Sequence, residues 1–370
     1  MENLLRPVGG GGVNSFKIFI MNIQLLHTYN DIICLENLLL AWQEFIIGKK
    51  KRKDVQIFSR NLMDNIVALH EDLVNHTYQH GGYESFFVTD PKCRHIHKAS
   101  VRDRLLHHAI YRILYPFFDK TFIGNSYSYR KNIGTHKAIN QFRKLLYKVS
   151  QNNTQACWIL KCDIRKFFAS IDHDILLNIL KQYISDKDII WLLSMVVESF
   201  VSELPHPDPL PLSTGRQVIK ERGDIGLPLG NLTSQLFANI YMNELDQFVK
   251  HRLKVRHYVR YADDFVFVFH NRKYLEIILE YVQEFLNGKL KLILHPNKIF
   301  LQTTTSGIDF LGWKHFSDHR VLRKTTKKRM LNRIKNNSTN ETLQSYLGML
   351  KHGDGLKLRE ELLNEFWLWS

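Results

Sequence analysis

The spacing of apolar and polar residues changes along this chain, and each change marks an element. LENLLLAWQEFIIG (35–48) carries apolar side chains on more than one helical face and stops at Gly48. VQIFSRNLMDNIVALHEDLVNHTY (55–78) repeats them three and four apart, the pattern of an amphipathic helix. Residues 21–80 therefore read as mostly helical. ESFFVTDPKCRHIHKAS (84–100) predicts a short strand, a turn at Asp90-Pro91 and a second strand. VRDRLLHHAIYRILYPFFDK (101–120) returns to helical spacing. TFIGNSYSYRKNIGTHKAI (121–139) is a polar, glycine-bearing loop feeding a helix.

ACWILKCDI (156–164) has the composition of a buried strand. DHDILLNILKQYI (172–184) predicts a helix capped near Ser170 or Asp172. PHPDPLPLSTGRQ (205–217) holds four of the nine prolines and reads as a loop, taken as 205–222. GLPLGNLTSQLFANIYMNELDQFVKHRL (226–253) predicts a turn and then a long amphipathic helix. VRHYVRYADDFVFVF (255–269) predicts two short strands around a tight turn at Ala262-Asp263-Asp264. From Lys314 onward the chain reads as helical and at first very basic. No internal repeat is visible.

The balance of 51 Lys and Arg against 36 Asp and Glu leaves a formal charge of +15 over 370 residues. Such a surface favours a polyanion partner, because Lys and Arg displace counterions from phosphates. A generally basic surface and an anionic membrane surface are the alternatives. No apolar run reaches the length of a membrane span. Cys34, Cys93, Cys157 and Cys162 form no CxxC pair, which argues against a zinc ribbon or a disulfide scaffold and fits a reducing compartment. Gly9 to Gly12 point to a flexible leader, and Met21 is an alternative start to Met1. His95, His97, His107 and His108 crowd one region but lack nearby Cys or Asp at ligand spacing; a basic surface is the simpler account.

The candidate chemistry lies in the acids. Asp163 ends an apolar strand, and Asp263 and Asp264 sit on a hairpin turn about 100 residues later. An Asp pair in a turn is also ordinary turn chemistry. If strand ends of one sheet bring all three together, their repulsion calls for divalent cations. Carboxylate oxygens suit Mg²⁺, and two ions can serve both the attacking and leaving oxygens of a phosphoryl displacement.

The ordered set of segments resembles the reverse transcriptases from about Leu38 to the C-terminus. It comprises TDPKCRHIHKASVRDRLLHHAI, SYSYRKNIGTHKAI, KCDIRKFFASID, GLPLGNLTSQLFANIYMNELD, RYADDFVFV, LILHPNKIFLQ, GIDFLGW and LQSYLGMLKHG. The resemblance implies an α+β right-hand polymerase fold, with fingers, a palm built on an antiparallel sheet, and a helical thumb. The expected divisions are a leader and first helix (1–37), N-terminal helices and fingers (38–150), palm (151–313) and thumb (314–370).

The same resemblance implies roles. Asp163, Asp263 and Asp264, with the Ile164 carbonyl, would bind two Mg²⁺ ions, Mn²⁺ being a possible substitute. Lys92, Arg94 and Arg130 would hold the incoming dNTP, Phe168 would exclude a 2′-hydroxyl, and Leu229 and Gly230 would line the nucleotide site. Lys298 would give a proton to the leaving pyrophosphate. Ser234, Gln235, Arg323, Lys327 and Lys328 would meet the template–primer. Leu229-Gly230, three residues, then Ser234-Gln235 is similar to the reverse transcriptases of diversity-generating retroelements, which copy a template RNA into cDNA with errors at adenines. That group implies a small basic oligomeric accessory protein, besides template RNA, primer or cDNA strand and dNTPs. It also implies a bacterial, archaeal or phage-encoded protein of the cytoplasm. The alternatives are a phage-defence or abortive-infection reverse transcriptase, and a non-catalytic RNA-binding palm.

Overall fold

A computed structural model of the chain describes residues 23–89, 93–202 and 225–369. The glycine-rich leader, the Asp90-Pro91 turn, Lys92 and the proline-rich stretch lie outside the described residues. The architecture is α+β: antiparallel sheets backed by helices.

Helical spacing in the first third becomes four helices, α1 (Tyr29–Ile33), α2 (Leu35–Phe45), α3 (Lys53–Arg60) and α4 (Leu62–Val74). Leu38, Ala41 and Phe45 of α2 and Ile66, Leu69 and Leu73 of α4 are buried on their inner faces. The helix α5 (Val101–Phe118) packs against α2. It starts at Ser100, whose hydroxyl accepts the Asp103 amide; such a cap contributes about 1 kcal/mol. Between α4 and α5, β1 (Tyr83–Val88) and β2 (Arg94–Ala99) form an antiparallel hairpin with Val88 opposite Arg94. His107 on α5 is buried and its ring stacks on His80, so it does not belong to the basic surface expected of it.

The helix α6 (Thr135–Val149) precedes a four-stranded sheet. Its spatial order is β4 (Tyr258–Tyr261), β5 (Asp264–Phe269), β3 (Trp158–Asp163), β6 (Phe300–Thr303), antiparallel throughout. Both faces of this sheet are covered. Leu160, Cys162, Phe265 and Phe267 enter the larger core, while Ile159, Val259, Val266 and Val268 pack with α6 residues such as Phe142. Double coverage is why β3 and β5 read as continuous apolar runs rather than alternating ones.

Behind the sheet lie α7 (His173–Tyr183), α8 (Lys187–Glu198), α9 (Leu232–Gln247) and α10 (Arg272–Leu290). Asp172 caps α7, its Oδ1 accepting the Ile175 amide at 3.0 Å, which decides between the two candidate caps. The helix α9 departs from the amphipathic expectation. It is buried from Thr233 to Asp246 apart from Gln235, because it runs between α5, α7 and α10.

The last segment also departs from expectation. Three short strands, β7 (Ile308–Phe310), β8 (Trp313–His315) and β9 (Arg320–Leu322), form an antiparallel sheet before any helix begins. The β7–β8 turn holds Leu311 and Gly312 at φ +50° and +86°. The helices α11 (Lys324–Asn336), α12 (Asn340–Leu350) and α13 (Leu356–Trp369) then close around Met330, Ile334, Leu343, Leu350, Leu362 and Phe366. All four cysteines are free, and no helix among the described residues is long and apolar enough to cross a membrane.

Candidate active site

The acids meet where β3 ends and β5 begins. Asp163 lies directly opposite Asp264 in the antiparallel register, so both side chains leave the same face of the sheet. The next residue, Ile164, donates its amide to the Asp263 carbonyl at 3.3 Å, which brings the turn against the end of β3. The Asp163 carbonyl in turn accepts the His295 amide at 2.8 Å, so the backbone is pinned on both sides. Asp263 is half-buried at the turn itself.

Two lysines offset this negative charge. Lys298, on a 3₁₀ turn (Pro296–Lys298), places Nζ 2.6 Å from Asp163 Oδ1. Lys161, two residues before Asp163 on the same strand face, places Nζ 3.4 Å from Asp264 Oδ2 and donates to the Asp309 carbonyl at 2.7 Å. Neither lysine reaches Asp264 Oδ1, which is buried without a hydrogen-bond partner. Burial first, then the Asp163 and Asp263 charges, pushes the Asp264 carboxyl up to about 7 against the lowering pull of Lys161.

This set fits a divalent cation. Its donors are hard carboxylate oxygens, one of them buried and unpartnered, and their mutual repulsion is what a cation would relieve. Among the described residues no three His, Cys, Asp or Glu side chains are already gathered as a ligand set. Lys298 and Lys161 stand against two of the three carboxylates. A cation entering here would take over those oxygens.

Phe168 and Arg94, both singled out in the sequence, connect to the carboxylates through Tyr129. Phe168, half-buried on the 3₁₀ turn Phe167–Ser170, presents its ring edge-on to Tyr129 at 6.2 Å. Burial, then the Asp263 charge, pushes the Tyr129 hydroxyl up to about 12, while Arg94 pulls it down; Arg94 and Asp263 thus face the same tyrosine. Arg94 itself is exposed on β2. Gly230 has φ +114°, and a Cβ there would come within 3.0 Å of Ile96 Cγ2. The close approach that requires this glycine is therefore to β2, where the His97 amide also donates to the Leu229 carbonyl. Leu229 is half-buried at this junction, Ser234 is buried in the first turn of α9, and Gln235 beside it is half-buried.

Other expected contacts are engaged elsewhere. Arg130 donates Nε to Asp119, Nη1 to the Ile123 and Ser126 carbonyls and Nη2 to the Asp119 carbonyl. It staples its own loop through these four bonds. Arg323 precedes α11 and pairs with Asp309 at 3.2 Å, and Lys327 pairs with Glu361 of α13 at 2.7 Å. Lys328 is exposed on α11. Lys92 lies outside the described residues.

Sequence reasoning missed Lys161 and Tyr129. Lys161 had one available signal: a cation two places from Asp163 in a strand must share its face.

Comparison with known proteins identifies the family. The family described as reverse transcriptase (RNA-dependent DNA polymerase) matches residues 88–315, which contain Asp163, Asp263 and Asp264. Protein YkfC of Escherichia coli is 25% identical over 293 residues, covering 70% of this chain and 71% of that protein. The group II intron-encoded protein LtrA of Lactococcus lactis subsp. cremoris is 25% identical over 289 residues, covering 61% of this chain but 44% of LtrA. Among solved structures, telomerase from Candida albicans in complex with a fragment of telomeric RNA overlays with a TM-score of 0.40 at 12% identity. That overlay covers 70% of this chain and 51% of the telomerase chain.

Proposed function

Because the chain belongs to the reverse transcriptase family and is an RNA-directed DNA polymerase, we propose that Asp163, Asp263 and Asp264 are its metal-binding carboxylates. The observation that carries this is the Asp163–Asp264 pair facing across β3 and β5, with Asp264 Oδ1 buried and unpartnered. Two Mg²⁺ ions are the cations of choice, with the Ile164 carbonyl as a further ligand and Mn²⁺ as a substitute. When bound they neutralise charge on the primer 3′-oxygen and on the pyrophosphate.

The protein's own residues supply position. Lys298, 2.6 Å from Asp163 Oδ1, gives a proton to the leaving group once released from that carboxylate. Arg94, with Lys92, holds the triphosphate, because guanidinium forks match phosphate oxygens. Phe168 lies under the sugar and clashes with a 2′-hydroxyl. Leu229 and Gly230 line the nucleotide site, and Ser234 and Gln235 stand beside the templating strand. Exposed cations of α11 such as Lys328 grip the duplex backbone. In this reading residues 38–150 are N-terminal helices and fingers, 151–313 palm and 314–370 thumb. Positioning and charge compensation supply most of the rate.

The substrate is a template RNA copied into cDNA. Leu229-Gly230 followed by Ser234-Gln235 supports placing the protein in a diversity-generating retroelement, with errors concentrated at template adenines and a small basic oligomeric partner. Sequencing cDNA made on a defined RNA template tests this. Substitutions opposite adenines support it. Faithful copies, or untemplated homopolymer of the kind a defence enzyme makes, refute it.

A further inference from the structure

We propose that Arg260 and Ser128 are positioning residues that clamp Ala262 from two sides and so fix where Asp263 and Asp264 stand. Ala262 begins the turn at φ +55°, in the left-handed region that side chains rarely occupy. Both of its backbone groups are held. Its amide donates to Ser128 Oγ at 2.8 Å, and its carbonyl accepts Arg260 Nη1 at 3.1 Å. A turn held in a strained conformation from both sides has little freedom to move the aspartates that follow.

The clamp is itself anchored. Arg260 has no exposed surface; Nε donates to Asp246 Oδ1 at 2.8 Å, and Nη2 donates to Asp246 Oδ2 at 2.6 Å and to Ser126 Oγ at 2.9 Å. The Tyr258 hydroxyl also donates to Asp246 Oδ1, at 2.9 Å. Ser128 donates its hydroxyl to Asn239 Oδ1 at 3.2 Å, and Asn239 Nδ2 donates to the Ser128 carbonyl at 2.7 Å. Asp246 and Asn239 both sit on α9, so the turn is tied to a helix buried along most of its length. Ser126 and Ser128 lie on a segment that runs beside β4, where the Tyr127 amide donates to the Arg260 carbonyl at 3.0 Å.

An ion pair with no exposed surface is a poor route to stability, since well-packed apolar residues serve as well or better. What apolar residues cannot do is hold a carbonyl oxygen at a chosen point. The geometry of the turn is therefore the specific product of this pair.

The inference rests on the reading of Asp163, Asp263 and Asp264 as metal ligands, and the test separates the two. The full chain is compared with Arg260→Met/Asp246→Leu by thermal unfolding, by Mn²⁺ binding in electron paramagnetic resonance without nucleic acid, and by dTTP incorporation on primed poly(rA). Wild-type protein that neither binds Mn²⁺ nor extends the primer would overturn both claims. With wild type competent, the double variant should unfold cooperatively. It should also bind Mn²⁺ about tenfold more weakly and lose about 100-fold in kcat, with KM for dTTP little changed. A folded double variant with wild-type Mn²⁺ affinity and kcat overturns the clamp. Should that variant not fold, Ser128→Ala, which leaves the ion pair intact, decides the matter. Its Mn²⁺ affinity and kcat should both fall several-fold with KM unchanged, and wild-type values overturn the clamp.

Discussion

The Lys298 ammonium stands 2.6 Å from Asp163 Oδ1, on a 3₁₀ turn whose preceding residue, His295, also donates its amide to the Asp163 carbonyl. One short loop thus holds both the backbone and the side chain of a single aspartate. The lysine competes with any cation for that oxygen, and in the proposed reading it protonates the leaving group once displaced. Replacing Lys298 with Met should lower kcat on the order of 10²-fold while lowering the Mg²⁺ concentration needed for half-maximal rate. Steady-state extension across a Mg²⁺ series checks both. A variant with kcat near wild type removes Lys298 from the chemistry.

Glu244 on α9 predicts how stability responds to pH. It is 4% exposed, its Oε1 has no hydrogen-bond partner, and burial pushes its carboxyl up to about 7. The folded pKa lies above the unfolded one, so the folded state binds the extra proton. Its contribution is therefore most favourable below about 4.5 and is lost as pH rises to about 7, on the order of 3 kcal/mol in all. Glu244→Gln should be stabilising at pH 8 and near neutral at pH 4.5. Urea unfolding at the two pH values checks this, and an unchanged pH dependence would count against a buried, unpaired acid.

The basic helix α11 divides into tied and presented cations. Lys327 is bound to Glu361, whereas Lys328 is exposed beside it. Lys328→Ala should reduce the slope of log affinity for a primed RNA against log salt by about 1, uniformly across sequences. Lys327→Ala should change that slope less. Fluorescence anisotropy over a salt series distinguishes them, and equal slopes for Lys328→Ala and wild type would move the duplex away from this helix.

Much of this protein was readable from residue order, and the misses share physical causes. The strands β3 and β5 declared themselves because both faces are buried, so nearly every position is apolar. The same double burial misled at α9, where Asn239, Asn243, Glu244 and Asp246 look like a polar face but are enclosed by α5, α7 and α10. The strands β8 and β9 are three residues each, too short to show a period of two within the charged stretch after Lys314. At the site, the acids were legible because paired carboxylates at the edge of an apolar run need compensation. Lys161 and Arg260 were not, since a cation inside a strand looks like surface charge until its partner is located. Arg130 is the reverse case: a basic residue in a suggestive motif that makes four hydrogen bonds to its own loop.

The account depends on Asp163, Asp263 and Asp264 acting as one unit. Single-turnover primer extension on an RNA template at saturating Mg²⁺, with each replaced in turn by Asn, measures this directly. Each variant should remain folded and slow nucleotide addition by at least roughly 10³-fold. Any one of them extending primer within tenfold of the wild-type rate would contradict it.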